Sequence, residues 1–242
     1  MIHVDHLTKR YNRFTAVEDV SFTVKEGEVF ALLGPNGSGK TTTMKCIVGL
    51  NVPTSGGVRV RGLDVQRYQK ETREFLSYLP QRVVFPENLS AREVMHFYCR
   101  LRRLPPMRAE EALVRARLNG DGDRLVSEFS GGMVQRLGLA VISLPDAPIL
   151  LLDEPTANLD PQGVKRFREF VLHQKENGKT IIFSTHLLAE AEQLADRVGI
   201  FVGGSLVAQE SIENLQRTYL ATNTIEDMYL HYVGANDHDN NG

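Results

Sequence analysis

The sequence Gly34-Pro35-Asn36-Gly37-Ser38-Gly39-Lys40-Thr41 follows directly after the apolar run Val29-Phe30-Ala31-Leu32-Leu33. It matches the pattern G-x-x-x-x-G-K-[ST] of a phosphate-binding loop. A continuous apolar run is typical of a central parallel strand covered on both faces, and a helix is predicted from about Lys40 to Gly49. Strand, loop and helix in this order predict an α/β domain with a phosphate site at the end of the strand. The alternative is an ordinary glycine-rich turn. Such a turn would not need an apolar strand before it and a helix after it.

The residue types of the loop suit phosphate chemistry. Its glycines adopt backbone angles that side chains forbid, so successive backbone N–H groups can turn inward around the phosphates. The N-terminus of the predicted helix adds the positive end of its dipole. We expect Lys40 to bind the β- and γ-phosphate oxygens and the Thr41 hydroxyl to ligate Mg²⁺, and we include Thr42 among the nucleotide-binding residues.

Two carboxylates follow a second apolar run. Ile149-Leu150-Leu151-Leu152 is interpreted as a buried strand, and Asp153 and Glu154 stand at its end. Because the carboxyl ends of parallel strands meet at one edge of a sheet, Asp153 is predicted to lie beside the Mg²⁺ site. Glu154 can polarise an attacking water without displacing Asp153 from the metal. A strand that ends in Asp-Glu is a weak signal alone and a strong one together with the phosphate loop.

The rest of the sequence predicts an α/β core interrupted by a helical segment. Strand and helix patterns alternate on both sides of residues 82–144, whereas that segment itself has helical patterns. Ser90 and Glu93 have the spacing of a capping box. Asp160 is predicted to cap a helix that ends near Gly178.

The predicted domain organisation rests on these patterns. We expect one domain over residues 1–220, with residues 82–144 as an inserted helical subdomain. Residues 221–242 are predicted to form a short C-terminal tail. Its end is predicted to be disordered, because residues 235–242 are polar and have nothing to bury.

Composition narrows the class of protein. The chain has 242 residues, 42% hydrophobic and 24% charged, as is ordinary for a globular protein. Its formal net charge of −2 gives no general attraction to nucleic acid. The two cysteines, Cys46 and Cys99, cannot form a disulfide framework and are interpreted as small buried hydrophobes. We find neither a signal-peptide pattern nor an apolar run of about 18 residues, so we expect a cytosolic chain unless a partner holds it elsewhere.

A second glycine segment sets this chain apart among phosphate-loop proteins. Ser130-Gly131-Gly132 lies between the phosphate loop and the acidic strand, and the residues after it have a helical pattern. This is another helix N-terminus whose exposed amides suit an anion. With this order of motifs the chain resembles the nucleotide-binding subunits of ABC transporters over nearly all of residues 1–220. That family usually has Leu and Gln where this chain has Phe129 and Met133, and the backbone donors survive both changes.

The resemblance implies roles for four further residues. Tyr11 corresponds to the aromatic residue that stacks on adenine, and Gln81 to the glutamine that senses Mg²⁺ and the attacking water. Asp160 belongs to the loop 157–160, through which two ATPase subunits communicate. His186 corresponds to the histidine that contacts the γ-phosphate.

The resemblance also implies the fold, the ligands and the assembly. The fold would be an ABC-type phosphate-loop ATPase, with a mostly parallel sheet, an N-terminal antiparallel β part and the helical insertion. The ligands would be ATP and Mg²⁺, with Glu154, His186 and Lys40 as catalytic residues. Two copies would form a head-to-tail dimer, in which Lys40 of one copy and Ser130 of the other enclose one ATP.

A separate membrane permease is the implied partner. It would dock on residues of about 81–144, with residues 83–86 (Val-Val-Phe-Pro) as apolar contacts, and would hold the chain at the cytoplasmic face of the plasma membrane. Residues 41–44 and 129–133 are similar to the bacterial subfamily that pairs with ABC-2-type permeases, often exporters. Within it, the chain is similar to the ATPase of the system that matures the copper site of nitrous oxide reductase. A periplasmic accessory protein would then be a further partner, reached through the permease.

Two other functions stay open at this point. An ABC-type ATPase that acts on nucleic acid or ribosomes would carry a long coiled-coil insertion or a second ATPase half, and this sequence shows neither. A non-hydrolysing regulatory module would use ATP only to dimerise. The presence of Lys40, Asp153, Glu154 and His186 argues against that second alternative.

Overall fold

Two β-sheets organise the chain in the computed structural model, which describes residues 1–157 and 159–219. The strands of the smaller, antiparallel sheet are β1 (Ile2–Tyr11), β2 (Phe14–Val24), β4 (Ser55–Val60) and β5 (Leu63–Asp64). They lie in the order β2-β1-β4-β5. Asn158 of the predicted 157–160 loop and the predicted tail 221–242 lie outside the described residues.

The larger sheet has six strands. These are β3 (Val29–Leu33), β6 (Leu76–Leu79), β7 (Ile149–Leu152), β8 (Thr180–Thr185), β9 (Arg197–Val202) and β10 (Ser205–Ser211). They lie in the order β10-β9-β3-β8-β7-β6, with parallel pairing throughout except between β9 and β10, which form an antiparallel hairpin. The predicted α/β fold, with a mostly parallel sheet and an N-terminal antiparallel part, is confirmed.

Strand β3 occupies the centre of the larger sheet, between β9 and β8. All its residues are buried. Phe30 and Leu32 pack into the hydrophobic cluster on one face of the sheet, and Val29, Ala31 and Leu33 pack into the cluster on the other. Burial on both faces explains why the sequence of this strand is continuously apolar instead of alternating. The phosphate loop therefore starts from a strand that is paired on both edges and buried on both faces.

Outside residues 82–144, the described part of the chain contains five helices beside the sheets. They are α1 (Lys40–Ile47), α2 (Gln69–Glu74), α6 (Pro161–Glu176), α7 (Leu188–Leu194) and α8 (Ile212–Tyr219). Asp160 caps α6 as predicted, because its side chain accepts a hydrogen bond from the backbone N–H of Gly163 at 2.7 Å. Among the described residues, no helix combines the length and the apolar character needed to cross a membrane.

Three helices lie within residues 82–144. They are α3 (Ala91–Leu101), α4 (Met107–Arg115) and α5 (Gly131–Ser143), and short 3-10 turns at 119–121 and 126–128 connect α4 to α5. The predicted capping box is present at the start of α3: Ser90 accepts from the N–H of Glu93, and the Glu93 carboxylate accepts from the N–H of Ser90. The helices share a hydrophobic cluster of their own.

Both cysteines are buried, as predicted. Cys46 lies on α1 and Cys99 on α3. Burial raises the pKa of the Cys46 thiol to about 11, so this group stays protonated at neutral pH and acts as an apolar packing residue.

The expectation that Phe85 offers a docking contact is wrong. Its side chain is 7% exposed and packs edge to face on Tyr98, with ring centroids 6.2 Å apart. Phe85 belongs to the cluster shared by α3, α4 and α5, so a charge at this position would disrupt the cluster itself. Its neighbour Val84 is 70% exposed and is the large apolar residue of this segment that faces solvent.

Candidate functional site

The phosphate loop connects β3 to α1 in a conformation that requires glycine at specific positions. Gly39 has a φ of +100°, and a Cβ added there would lie 2.7 Å from the carbonyl oxygen of Ala16. A Cβ at Gly34 would lie 2.3 Å from the carbonyl oxygen of Phe201. Both distances are shorter than real carbon–oxygen contacts, so larger residues cannot be accommodated without moving backbone. The loop is therefore shaped by β2 and β9 as well as by its own sequence.

Lys40 lies inside this loop and is 5% exposed. Its ammonium group donates hydrogen bonds to the carbonyl oxygens of Gly34 at 2.7 Å and Pro35 at 3.0 Å. The same Nζ lies 3.3 Å from Oε1 of Glu154. Because the ammonium and the carboxylate are both buried, their attraction is weakly screened and holds each side chain in place.

Thr41 and Asp153 form the oxygen-rich part of the site. The Thr41 hydroxyl donates to Oδ1 of Asp153 at 2.9 Å. A hydroxyl next to a carboxylate is the donor set that Mg²⁺ uses beside a phosphate loop. The two residues lie together because α1 starts at the end of β3 and Asp153 follows β7, and both strands end at the same edge of the parallel sheet. The donor chemistry therefore fits a magnesium ion.

Glu154 carries the most constrained backbone of the site. Its φ is +45°, a conformation that costs a non-glycine residue about 1–3 kcal/mol. Its side chain is 5% exposed, and Oε2 lies 2.9 Å from Nδ1 of His186 while Oε1 faces Lys40. The carboxylate is thus held between two basic groups, one from the phosphate loop and one from the turn after β8. Such a group can orient and polarise a water molecule at the end of a bound phosphate chain.

Two residues that the sequence analysis did not predict contact Asp153 and Glu154. The Ser184 hydroxyl on β8 donates to Oδ1 of Asp153 at 2.7 Å and accepts from the N–H of Glu154 at 2.8 Å. The Tyr78 hydroxyl on β6 donates to Oδ2 of Asp153 at 3.2 Å. Burial, followed by the charge of Asp153, raises the pKa of Tyr78, which keeps the phenol protonated as a donor. A serine or a tyrosine on a strand does not by itself indicate a contact with a carboxylate. These contacts become visible only when the order of the strands is known.

Two further predicted residues, Tyr11 and Gln81, are not hydrogen-bonded to these side chains. Tyr11 stands at the end of β1, 43% exposed, where its hydroxyl accepts from the Asn51 amide at 2.6 Å. Gln81 follows β6 and is exposed. Within residues 1–157 and 159–219, neither side chain forms a hydrogen bond to the Lys40, Asp153 or Glu154 side chains. Hydrogen bonds and ion pairs join five predicted residues, whereas the roles of Tyr11 and Gln81 stay predictions. The five are Lys40, Thr41, Asp153, Glu154 and His186.

The second glycine segment starts α5 at the surface. Ser130 caps this helix by accepting from the N–H of Met133 at 3.3 Å, and Ser130 and Gly131 are exposed. A Cβ at Gly132 would lie 3.8 Å from Cδ2 of Leu159, just before the cap of α6. The exposed N-terminal turn of α5 thus lies next to the start of α6, where predicted site residue Asp160 stands.

Comparison with known proteins identifies relatives along most of the chain. The family model for ABC transporters matches residues 17–157. The chain is 37% identical to the uncharacterised ABC transporter ATP-binding protein YcbN of Bacillus subtilis, over 89% of this chain and 71% of YcbN. It is 36% identical to the bacitracin transport ATP-binding protein BcrA of Bacillus licheniformis, over 90% of this chain and 72% of BcrA. It is 33% identical to the lantibiotic transport ATP-binding protein SrtF of Streptococcus pyogenes, over 96% and 97%.

Solved structures agree in fold. An ATP-binding subunit of an ABC transporter superposes with a TM-score of 0.86 at 30% identity, covering 96% of this chain and 98% of that one. A dimeric ATP-binding cassette in a post-hydrolysis state, bound to ADP and Pi, superposes with a TM-score of 0.80 at 26% identity, covering 88% of this chain and 99% of that one.

We predict that Ser184→Ala lowers the kcat of ATP hydrolysis by about 10- to 100-fold, because displacing a catalytic group by about an ångström has an effect of that order. The substitution removes a donor to Asp153 and leaves the buried N–H of Glu154 unpaired. The KM for ATP should change little, since Lys40 and the loop glycines are untouched. Steady-state kinetics measure both constants.

Ser77→Ala is the matched control for this experiment. Ser77 is also a buried strand serine, on β6, but its hydroxyl has no hydrogen-bond partner among the described residues. We expect this variant to keep a near-normal kcat. Equal kinetics for Ser184→Ala and Ser77→Ala would show that the Ser184 hydroxyl does not position the two carboxylates.

Proposed function

We propose that this chain, which belongs to the ABC transporter family and is one of its ATPases, uses ATP to close a dimer of two copies and thereby drives a separate membrane permease. The observation that carries the proposal is the contact chain from Lys40 through Glu154 to His186, beside the Thr41–Asp153 pair. This arrangement supplies a cation for the phosphates, a carboxylate for water and an oxygen-rich metal position in one place.

The phosphate loop binds the triphosphate in this proposal. Backbone N–H groups of residues 34–39 surround the phosphates, and Lys40 exchanges its contacts with loop carbonyls for the β/γ oxygens. Thr41 and Asp153, with Gln81, would hold Mg²⁺, which neutralises charge on the phosphates. Thr42 extends the contacts at the start of α1, and Tyr11 at the end of β1 stacks on the adenine.

Glu154 is the proposed general base. Its buried carboxylate orients the attacking water and accepts its proton, while His186 hydrogen-bonds the γ-phosphate. Lys40 stabilises the charge that moves onto the transferred oxygens. The left-handed backbone of Glu154, tied to Ser184, keeps the carboxylate directed at that position.

The proposed dimer is head to tail. Ser130-Gly131-Gly132 presents an exposed helix N-terminus, which binds the γ-phosphate of ATP held by the other copy. Asp160, at the neighbouring start of α6, lies in the segment through which the two sites communicate. A related ATP-binding cassette is dimeric in its structure with ADP and Pi, which supports this assembly. Hydrolysis removes the bridging phosphate and lets the dimer open.

We expect Glu154→Gln to bind ATP, dimerise and hydrolyse about 10²–10⁴-fold more slowly, because the amide cannot accept the proton of the attacking water. ATPase assays and light scattering with ATP measure the two effects. Glu176→Gln, a substitution at an exposed carboxylate near the end of α6, serves as the control. Near-normal turnover by Glu154→Gln would exclude Glu154 as the base.

Complementation between two inactive variants tests the composite site. Lys40→Ala removes the phosphate cation and Ser130→Glu places a carboxylate against the partner's phosphate, so each homodimer should be inactive. A mixture should regain activity, because in a mixed dimer one site combines an intact Lys40 with an intact Ser130. Ser127→Glu, which changes an exposed serine near the segment, should be active alone. A mixture that remains inactive would contradict the head-to-tail arrangement.

The permease is proposed to dock on the inserted helices. We assign residues 1–220 to one ABC nucleotide-binding domain with residues 82–144 inserted, and the separate hydrophobic cluster of α3, α4 and α5 supports that division. Exposed apolar side chains there include Val84, Phe97 and Leu101, at 70%, 48% and 62%. Such side chains suit apolar contact with helices of a permease, which would keep the chain at the cytoplasmic face of the membrane.

The proposed cargo system is the one that matures the copper site of nitrous oxide reductase, with a periplasmic accessory protein acting through the permease. The resemblance predicted from the sequence alone motivates this proposal. A second candidate is the export of peptide antibiotics, favoured by the transport functions for which BcrA and SrtF are named. In both cases the permease would contact the cargo. The surface of this chain is therefore compatible with both candidates.

We predict that Val84→Asp abolishes co-purification with the permease while leaving ATP hydrolysis by the isolated chain unchanged. Leu50→Asp, a substitution at an apolar residue that is 59% exposed outside the inserted helices, should retain the permease. In cells, Val84→Asp should lose nitrous oxide reduction if the copper system is correct, or bacitracin or lantibiotic resistance if the second candidate is. Retention of the permease by Val84→Asp would contradict the docking surface.

A further inference from the structure

A cleft of about 770 Å³ lies between the inserted helices and the core. Residues of α4 and α5 line one wall, and residues of α6 with the Asn177–Lys179 turn line the other. None of the residues assigned to ATP lines it. Its volume is within the range of small-molecule sites and far exceeds that of a single ion.

The lining of this cleft is strongly cationic. Six of its side chains carry a positive charge: Arg108, Arg115, Arg117, Arg136, Arg166 and Lys179. Among the described lining residues, only Asp146 and Glu169 are acidic. The whole chain has 28 Lys and Arg against 30 Asp and Glu, so this concentration does not reflect a basic protein. Like charges gathered around a concave surface focus a positive potential within it.

Some of these cationic side chains have partners within the protein. Lys179 pairs with Asp146 at 2.6 Å. Arg136 donates to the carbonyl oxygens of Ala116 and Arg117, where it caps the end of α4. Burial, followed by the nearby charge of Arg166, lowers the pKa of Arg136.

The side chains of Arg115 and Arg117 are available to bind a ligand. Both are exposed, and their side chains form no hydrogen bond or ion pair within the described part of the chain. Arg117 has a φ of +54° in the turn that ends α4, closed by the hydrogen bond from the N–H of Leu118 to the oxygen of Leu113 at 2.8 Å. Glycine is the usual residue in such a turn. The turn therefore keeps a guanidinium at the rim of the cleft in a backbone conformation unfavourable for arginine.

We propose that this cleft binds a small molecule that carries several phosphate groups. Arginine pairs with phosphate through two parallel hydrogen bonds, so a rim of guanidinium groups favours phosphate esters over chloride or single carboxylates. Arg115 and Arg117 contribute from the α4 side and Arg166 from α6, so one ligand bridges the inserted helices and the core. This site is separate from the phosphate loop and does not depend on the function proposed above.

Isothermal titration with inorganic tripolyphosphate tests the proposal. The protein is first saturated with ADP, which fills the phosphate loop. We expect saturable binding to the unmodified chain and at least about tenfold weaker binding to the double variant Arg115→Gln/Arg117→Gln, because two charge-assisted hydrogen bonds are lost. The matched control is Arg102→Gln/Arg103→Gln, which neutralises two exposed arginines outside the cleft, one of them also at positive φ. The control should bind as the unmodified chain does.

Site-resolved NMR locates the ligand. Tripolyphosphate should shift the Nε–Hε signals of Arg115, Arg117 and Arg166 and leave those of Arg102 and Arg103 in place. Three results would overturn the proposal: no binding at millimolar tripolyphosphate, equal weakening in both double variants, or an unchanged affinity in the cleft variant. The second would indicate general electrostatic attraction, and the third a different site.

A phospholipid headgroup carries the same chemistry as a soluble phosphate ester. Co-sedimentation with phosphatidylglycerol vesicles distinguishes the two sources. We expect no sedimentation that depends on Arg115 and Arg117, because the cleft opens between packed helices. Vesicle binding that the cleft variant abolishes, without tripolyphosphate binding, would overturn the assignment to a soluble ligand.

Discussion

The carboxylate of Asp153 is the interaction on which the arrangement of the site depends. It accepts hydrogen bonds from Thr41 at the start of α1, from Ser184 on β8 and from Tyr78 on β6. These elements come from distant parts of the chain, and only parallel strands with a common edge bring them together. Because the same serine hydroxyl accepts from the N–H of Glu154, the carboxylates proposed to bind the metal and to activate water are held by one side chain.

Much of the fold and of the site could be predicted from local patterns. The continuous apolar runs of β3 and β7 identify strands buried on both faces, and the residues after the two runs then lie at the same edge of the sheet. Ser184 and Tyr78 could not be predicted, because their roles arise from strand order. The prediction that Phe85 is a docking contact was wrong for a related reason. An apolar residue before a helix can face solvent or pack into a cluster, and the local sequence does not distinguish the two.

The two glycine segments have different surroundings, which explains why one chain holds both. The loop around Lys40 is enclosed by β2 and β9, so its shape is fixed within the chain. The turn at Ser130 is exposed and, among the described residues, lies next to Leu159 at the start of α6. An enclosed site can bind a nucleotide by itself. An exposed helix N-terminus contributes to phosphate binding only when another surface covers it. This asymmetry is what a nucleotide-dependent association of two copies needs.

The contact of Gly39 with β2 has a consequence for how the protein opens. A Cβ on Gly39 would meet the carbonyl oxygen of Ala16, and the N–H of Glu18 donates to the oxygen of Gly204 at 2.9 Å. The phosphate loop, an N-terminal strand and the turn after β9 thus interlock. Segments that interlock exchange their amide hydrogens as one cooperative unit instead of fraying separately. The small antiparallel sheet therefore contributes to the local stability of the phosphate loop.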